Sequence, residues 1–164
     1  MTGSSATAVA LRVNDVPVTL RGGPGRTLLW ALRDDLGLVA AKYGCGAEQC
    51  GACRVLLDGL PAFSCQVPVD QCADRDVETL EALREREPGR RVVQALIEAN
   101  AAQCGYCLPG LAVTLTWLAR RSAPVDENTL LRTLDDHLCR CGAHPRILRV
   151  ARSLLGVAET EGSS

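Results

Sequence analysis

Nine cysteines in a chain of 164 residues are the side chains best suited to bind a metal. Cys45, Cys50 and Cys53 stand in a C-x4-C-x2-C spacing, and Cys65 follows after eleven intervening residues. This spacing is typical of a plant-type [2Fe-2S] cluster, in which one loop supplies three thiolates and a nearby strand supplies the fourth. The sequence therefore predicts that these four cysteines bind a two-iron cluster.

Three glycines, Gly44, Gly46 and Gly51, alternate with the cysteines of this loop. A loop that wraps tightly around a cluster needs residues that tolerate positive φ and let backbone N–H groups approach the sulfur atoms. Such hydrogen bonds are among the factors that set the reduction potential of a cluster. The glycines therefore strengthen the prediction.

A second set of four cysteines lies in the C-terminal half, with Cys104 and Cys107 in a C-x2-C pair and Cys139 and Cys141 in a C-x-C pair. Both pairs fall at predicted junctions between helices, so two loops at one pole of a helical bundle could converge on one metal centre. Unpaired N–H groups at helix starts would then face the anionic sulfur atoms. Cys72 belongs to neither set and is expected to be a plain thiol.

Other interpretations of these residues stay open. Zinc is an alternative for both sets, because C-x2-C knuckles commonly bind it, although a C-x-C pair is too tight for the usual knuckle. A disulfide framework is a further alternative for the first set. His137 and His144 could be imagined as Rieske-type ligands, but eight cysteines already form two full sets. Arg140, between two thiolates, either offsets cluster charge or points to water.

The composition excludes several functional classes. The net charge is −1 and aromatic residues make up 3%, so we expect no nucleic-acid partner and no attraction to anionic lipid. No apolar run approaches the roughly 20 residues that span a bilayer, and no secretory signal is recognisable. We therefore expect a cytoplasmic protein without direct membrane insertion, or a periplasmic one that is exported with a signal-bearing partner.

Residues 1–83 are predicted to form a β-grasp ferredoxin-like domain after a disordered start. The predicted elements are a hairpin over 9–20 that turns at Asn14-Asp15, a helix over 27–36 that Thr27 caps, a hairpin over 54–67 that turns at Asp58-Gly59, and a strand over 77–80. The second hairpin would place Cys65 on a strand that returns beside the cysteine loop.

Residues 84–164 are predicted to form a four-helix bundle that ends in a frayed tail. Apolar spacing predicts helices over 92–101, over 111–119, from Asp126 with Leu130, Leu131 and Leu134 inward, and around 147–155. The fold class is therefore α+β, with an N-terminal [2Fe-2S] ferredoxin-like domain and a C-terminal helical [2Fe-2S]-binding domain.

The whole chain from about residue 8 to 155 resembles the iron–sulfur small subunit of the molybdenum hydroxylases, the xanthine oxidase family. The matching motifs, in the same order and at the same separations, are Gly-Cys-Gly-x-x-x-Cys-Gly-Ala-Cys, the Asp-Gly hairpin with its cysteine, Gln-Cys-Gly-Tyr-Cys-x-Pro-Gly and Cys-x-Cys. The run from Cys139 to Ile147 most resembles the isoquinoline oxidoreductase, nicotinate dehydrogenase and aldehyde dehydrogenase branch. Leu108 and Arg54 depart from the usual family residues, and threonine is common at both positions.

The resemblance implies an electron-transfer subunit of a multi-subunit oxidoreductase. A large partner subunit would hold a molybdopterin, often as the cytosine dinucleotide, and the bundle cluster would lie beside it. The resemblance also implies that Gln103 and Cys141 lie within hydrogen-bond reach of that pterin. The first cluster would lie further out, towards a cytochrome c-type or flavin partner. No nucleotide-binding motif is present, so we expect the chain alone to be inert towards organic substrates.

Two other functions remain as alternatives. A free-standing ferredoxin-type electron carrier would need only the first domain, and such proteins tend to be strongly acidic. A zinc-binding interaction module would be colourless, whereas two [2Fe-2S] clusters would make the protein red-brown.

Overall fold

The computed structural model describes residues 7–158, so the expected disordered start and most of the expected frayed tail lie outside the described residues. In chain order its elements are β1 (Ala8–Val13), β2 (Val16–Arg21), α1 (Leu28–Trp30, continued by a π-helical turn over Ala31–Asp35), β3 (Arg54–Leu57), β4 (Leu60–Phe63), a 3-10 turn (Val69–Cys72), β5 (Asp76–Glu78), α2 (Leu80–Leu83), α3 (Gly89–Glu98), α4 (Leu108–Ala119), α5 (Glu127–Leu134) and α6 (His144–Leu155).

The five strands form one mixed sheet in the order β2-β1-β5-β3-β4. Strands β1 and β5 are parallel, and the other neighbours are antiparallel. Both predicted hairpins are confirmed, and their central residues Asn14, Asp15, Asp58 and Gly59 all have positive φ, as a tight two-residue turn requires. Helix α1 covers one face of the sheet with buried leucines.

Strand β3 is buried along its whole length because both of its faces are covered. Val55 and Leu57 face the core beneath α1. Leu56 points the other way and packs with Leu83 of α2 and Val113 of α4. These three side chains form an apolar seam between the sheet and the helices.

Two predicted features of the first domain need correction. Thr27 stands at the N-cap position of α1, but its side chain makes no capping hydrogen bond. The prediction of Cys65 on a strand is wrong, because β4 ends at Phe63. The chain turns because the buried Ser64 hydroxyl donates to the Cys53 carbonyl at 2.6 Å, which brings Cys65 back towards the cysteine loop.

The last predicted strand also ends early. Strand β5 covers Asp76–Glu78, and Thr79 then directs the chain into α2. The Thr79 N–H donates to the side-chain oxygen of Asn14, a turn residue, at 2.8 Å. This N–H therefore takes no part in the hydrogen bonds between strands. The prediction of strand at Leu80 is therefore wrong.

The first two helices of the bundle begin three residues before their predicted starts. Helix α3 starts at Gly89 and ends at Glu98, because Asn100 adopts positive φ and stops it. Helix α4 starts at Leu108 with Pro109 in its first turn, where the missing N–H would be unpaired anyway. Helix α4 is buried on nearly all sides, as predicted. Within residues 7–158, none of the helices combines the length and apolar character needed to cross a membrane.

The cap of α5 is confirmed, since the Thr129 N–H donates to the Asp126 carboxylate at 2.6 Å. Leu130 and Leu134, one turn apart, are buried, whereas Leu131 is 38% exposed. The prediction that Leu131 points inward is wrong, because α5 packs only a narrow row of side chains against the core. Helix α6 buries Ile147, Val150 and Ala151 as predicted.

The apolar seam predicts a stability cost for truncating Leu83. Leu83→Ala should lower the free energy of unfolding by about 2–5 kcal/mol, because it removes a fully buried side chain and leaves a cavity between sheet and helices. Urea denaturation followed by circular dichroism measures this. Leu131→Ala is the control and should change stability by no more than about 0.5 kcal/mol. Equal costs for the two variants would contradict the assignment of the seam.

Candidate metal centres

The first cysteine loop directs backbone N–H groups at its own sulfur atoms. The N–H groups of Ala47 and Gln49 both donate to Cys45 Sγ at 3.3 Å, and the Cys45 N–H donates to Cys50 Sγ at 3.3 Å. Such donors stabilise negative charge on sulfur. The loop is therefore built to hold thiolates.

The three glycines of this loop serve two different needs. Gly46 and Gly51 have positive φ, at 64° and 69°. Gly44 does not, but a Cβ built there would lie 2.6 Å from Cys50 Sγ. Gly44 is thus required by close approach to a sulfur atom alone, whereas Gly46 and Gly51 are required by backbone conformation as well as by close approach to neighbouring side chains.

The thiols of the first set shift each other's pKa values in pairs. Against the effect of burial, the Ala47 and Gln49 N–H groups and then the Cys50 thiol lower the pKa of Cys45, whereas burial and then the Cys65 thiol raise the pKa of Cys53. The charge of Cys50 also acts on Cys53, which joins the two pairs. Within residues 7–158, no three or more His, Cys, Asp or Glu side chains converge on one point as a single metal ion would need; a two-iron cluster instead spreads its four cysteine ligands over two irons.

The thiols of the second set are coupled in the same way in the helical domain. The Tyr106 N–H and then the Cys141 thiol lower the pKa of Cys104, and burial and then the Cys139 thiol raise the pKa of Cys107. Cys107 is the N-cap residue of α4, and Cys139 Sγ accepts from the N–H of Ala143, the N-cap residue of α6, at 3.4 Å. The expectation that N–H groups at helix starts face this set is confirmed at the start of α6.

The pKa values of the thiols differ within each set. Burial would raise the pKa of Cys45, but the N–H groups of Ala47 and Gln49 lower it to about 7. Burial raises the pKa values of Cys53 and Cys107 to about 12, and their cysteine partners add to the effect. The buried thiols become thiolates only when a cationic centre binds and displaces their protons. Both sets therefore fit a metal–sulfur group.

The structure places Gln103 beside the second set. The Gln103 side-chain amide is exposed and donates to the Cys141 carbonyl at 2.9 Å. The two residues predicted to face a pterin therefore occupy one spot on the surface of the helical domain.

The two histidines and Arg140 lie in different surroundings. His137 is buried, and its Nε2 is 2.8 Å from the Thr114 hydroxyl oxygen. Burial first, and then the charges of Arg54 and His144, lower the His137 pKa to about 3, so the ring is neutral. His137 thus lies beside the cysteine loop rather than in solvent. His144 is half-buried and Arg140 is exposed.

Sequence reasoning missed the joint between the two cysteine-bearing segments, formed by residues 50–54 and 136–138. The Leu138 N–H donates to the Cys50 carbonyl at 3.1 Å, and Arg54 Nη2 lies 2.6 Å from an Asp136 carboxylate oxygen. Both segments adjoin predicted ligands. No sequence pattern links positions more than 80 residues apart, so a contact of this kind can be recognised only from the fold.

A cavity of about 330 Å³ lies between the two cysteine sets. Cys45 and Cys50 line it from the first loop, and Cys104, Cys107 and Cys139 line it from the helical domain. The fold therefore places the two sets face to face within one molecule.

Comparisons with known proteins agree with this geometry. Residues 11–86 match the family described as "2Fe-2S iron-sulfur cluster binding domain", and residues 79–152 match the "[2Fe-2S] binding domain" family. One of the subunits of nicotinate dehydrogenase from Pseudomonas putida is 42% identical, with 89% of this chain and 93% of that protein covered. The alpha subunit of isoquinoline 1-oxidoreductase from Brevundimonas diminuta is 34% identical, with 84% of this chain and 86% of that protein covered.

A solved structure shows the same fold. The crystal structure of quinoline 2-oxidoreductase from Pseudomonas putida 86 matches with a TM-score of 0.79 and 29% identity, over 90% of this chain and 91% of that chain. The chain belongs to the iron–sulfur subunits of the molybdenum hydroxylases, the xanthine oxidase family. The resemblance to the nicotinate and isoquinoline branch is confirmed.

Family membership confirms the predicted role. The chain is the electron-transfer subunit of an oxidoreductase and has two [2Fe-2S] domains for two [2Fe-2S] clusters. Its α+β architecture is that of a ferredoxin-like domain followed by a helical domain. Neither the free-standing ferredoxin nor the zinc module is favoured.

Gly110 of α4 provides a test of how the helical domain supports the first loop. A Cβ at Gly110 would lie 2.1 Å from the Gly51 carbonyl oxygen, and backbone cannot move aside as a side-chain end can. Gly110→Ala should displace the loop, cost about 1–3 kcal/mol in stability, and reduce the iron content. Iron analysis and thermal unfolding measure both effects.

The matched control adds one heavy atom elsewhere on the same helix. Ala119→Ser lies at the far end of α4, beside an open surface cavity, and should retain the wild-type iron content. Wild-type iron and stability in Gly110→Ala would show that the loop does not need this close approach.

Proposed function

We propose that Cys45, Cys50, Cys53 and Cys65 ligate one [2Fe-2S] cluster and that the second set, Cys104, Cys107, Cys139 and Cys141, ligates the other. The observation that supports this assignment is that backbone N–H groups point at sulfur atoms of both sets, at Cys45 and Cys50 in the first and at Cys139 in the second. Such donors stabilise thiolates, and four cysteines supply all the protein ligands that a [2Fe-2S] cluster takes. A single tetrahedral zinc would instead need four thiolates around one point.

When bound, a [2Fe-2S] cluster accepts and releases one electron at a time. The chain contributes the surroundings. The N–H groups of Ala47, Gln49 and Ala143 point at cysteine sulfur atoms and favour the charged state. The Leu138–Cys50 hydrogen bond joins the second loop directly to the first.

The partner proposals rest on family membership and on Gln103. A large subunit would hold molybdopterin, as the cytosine dinucleotide, at the surface that Gln103 and Cys141 share. That subunit would contain the substrate pocket, and a cytochrome c-type or flavin subunit would take the electrons. We place the complex in the cytoplasm, where reduced thiols persist, and export with a signal-bearing partner is the alternative. We place the domain boundary near residue 83, inside the overlap of the two family matches.

Separate ligand sets predict separate spectroscopic effects. Cys139→Ser should remove one of two paramagnetic signals in the dithionite-reduced protein and leave the other intact, because only one set loses a ligand. Electron paramagnetic resonance measures this. Cys72→Ser is the control, since Cys72 is buried outside both sets, and should retain both signals. Loss of both signals, or of neither, in Cys139→Ser would contradict the assignment.

The pterin proposal is tested in the native complex, purified through a tag on this chain. Mass identification should reveal the large subunit, and molybdenum and released pterin should accompany it. Gln103→Ala should change the line shape of the Mo(V) signal after dithionite treatment, because it removes a donor beside the pterin. Gln94→Ala, an exposed glutamine on α3 that donates to Glu98, should leave it unchanged. Identical spectra for the two variants would overturn the role of Gln103.

A further inference from the structure

Arg54 is a buried cation directly after Cys53. Its side chain is only 8% exposed. Across the hairpin its register partner is Phe63, and the guanidinium lies 3.6 Å from the centre of that ring. Phe63 in turn stands two residues before Cys65. Cys53 packs with Val55 and Leu57 in the core beneath α1, so the Arg54 side chain leaves the opposite face of β3. The guanidinium therefore lies in the joint between residues 50–54 and 136–138, which holds the first cysteine loop.

The partner of Arg54 comes from the other domain and is far less buried. Asp136 accepts from Arg54 Nη2 at 2.6 Å, but its side chain is 55% exposed. Water screens an exposed carboxylate more strongly than a buried guanidinium. The two charges therefore do not cancel, and the field that reaches Cys53 is positive.

Two further observations show that Arg54 is not an ordinary surface ion pair. Its Nε is buried and makes no hydrogen bond within the described part of the chain. Burial lowers the Arg54 pKa, whereas Asp136 and then Cys53 raise it. An arginine stays charged under such conditions. A charged guanidinium therefore lies in the joint that holds the first cysteine loop.

We propose that Arg54 raises the reduction potential of the first-domain cluster and that Asp136 weakens this effect. The inference rests on the proposed ligation by Cys53 and Cys65. Reduction adds one electron, and therefore one negative charge, to the cluster and its thiolates, and a neighbouring buried cation stabilises that charge.

A purely structural role for the ion pair is the competing explanation. If the ion pair only held the two domains together, removing either partner would abolish that contact in the same way. An electrostatic role predicts opposite effects, because Arg54 and Asp136 have opposite charges. The sign of the potential shift therefore separates the two explanations.

The experiment is a redox titration of the full chain with both clusters bound, followed by electron paramagnetic resonance. The first-domain signal is the one that persists in Cys139→Ser. Arg54→Met retains the length of the side chain and removes its charge, so the midpoint potential of that signal should become more negative. Asp136→Asn should make it more positive. Because Asp136 also lies three residues before Cys139, both signals are followed in this variant.

Arg75→Met is the matched control. Arg75 belongs to the same domain and is paired with Asp58, at the opposite end of β3 from Cys53. Its loss removes the same charge far from the cysteine loop and should leave both potentials unchanged. Arg54→Lys retains the charge without the planar fork, and its potential should lie between the wild-type and Arg54→Met values.

The outcomes are separable. Shifts of the same sign in Arg54→Met and Asp136→Asn, or no shift in either, overturn the tuning role. Should Arg54→Met fail to bind iron, Asp136→Asn and Arg54→Lys still decide the question through their own potentials. A wild-type chain without two signals would instead refute the proposed ligation, before any shift is compared.

Discussion

Gly51 is packed so closely between two neighbouring segments that a side chain would not fit there, and this packing determines how the two halves of the chain meet. A Cβ at Gly51 would lie 2.1 Å from His137 Nδ1, and a Cβ at Gly110 would lie 2.1 Å from the Gly51 carbonyl oxygen. The cysteine loop of the first domain is thus held between the start of α4 and residues 136–138. Because Cys50 and Cys53 flank this point, packing between the domains also sets the shape of the first candidate cluster site.

The polar groups at this joint are as constrained as the apolar ones. His137 is neutral and buried, and its Nε2 is paired with Thr114 while its ring lies against Gly51. An ion pair and a backbone hydrogen bond connect the same two segments. Breaking a buried charge pair by removing one partner typically costs about 3–5 kcal/mol, although half-exposed partners such as Asp136 reduce this figure. The joint therefore resists separation of the two domains.

Much of the architecture could be predicted because its signals are local. The Asn14-Asp15 and Asp58-Gly59 turns, the Asp126 cap and the spacing of the apolar residues on α1 and α6 are all determined by neighbours in sequence. The two cysteine sets were also recognisable, since ligand spacing within a loop is a local property. The comparisons with known proteins agree with the fold and with the electron-transfer role.

What could not be predicted depends on distant residues. The early end of β4 depends on a hydrogen bond from Ser64 to Cys53, and the exposure of Leu131 depends on how α5 lies on α4. The Arg54–Asp136 pair joins positions that no local pattern relates. Gly110 resembles an ordinary residue of a helix start, although its lack of a side chain admits the Gly51 carbonyl.

The most direct test of this account is the iron and acid-labile sulfide content of the folded, full-length chain isolated without air. Two clusters, one in each domain, predict about four irons and about four sulfides per chain. A folded protein with stoichiometric zinc and no labile sulfide would contradict the account, and a value near two irons would mean that only one of the two thiol sets binds a cluster.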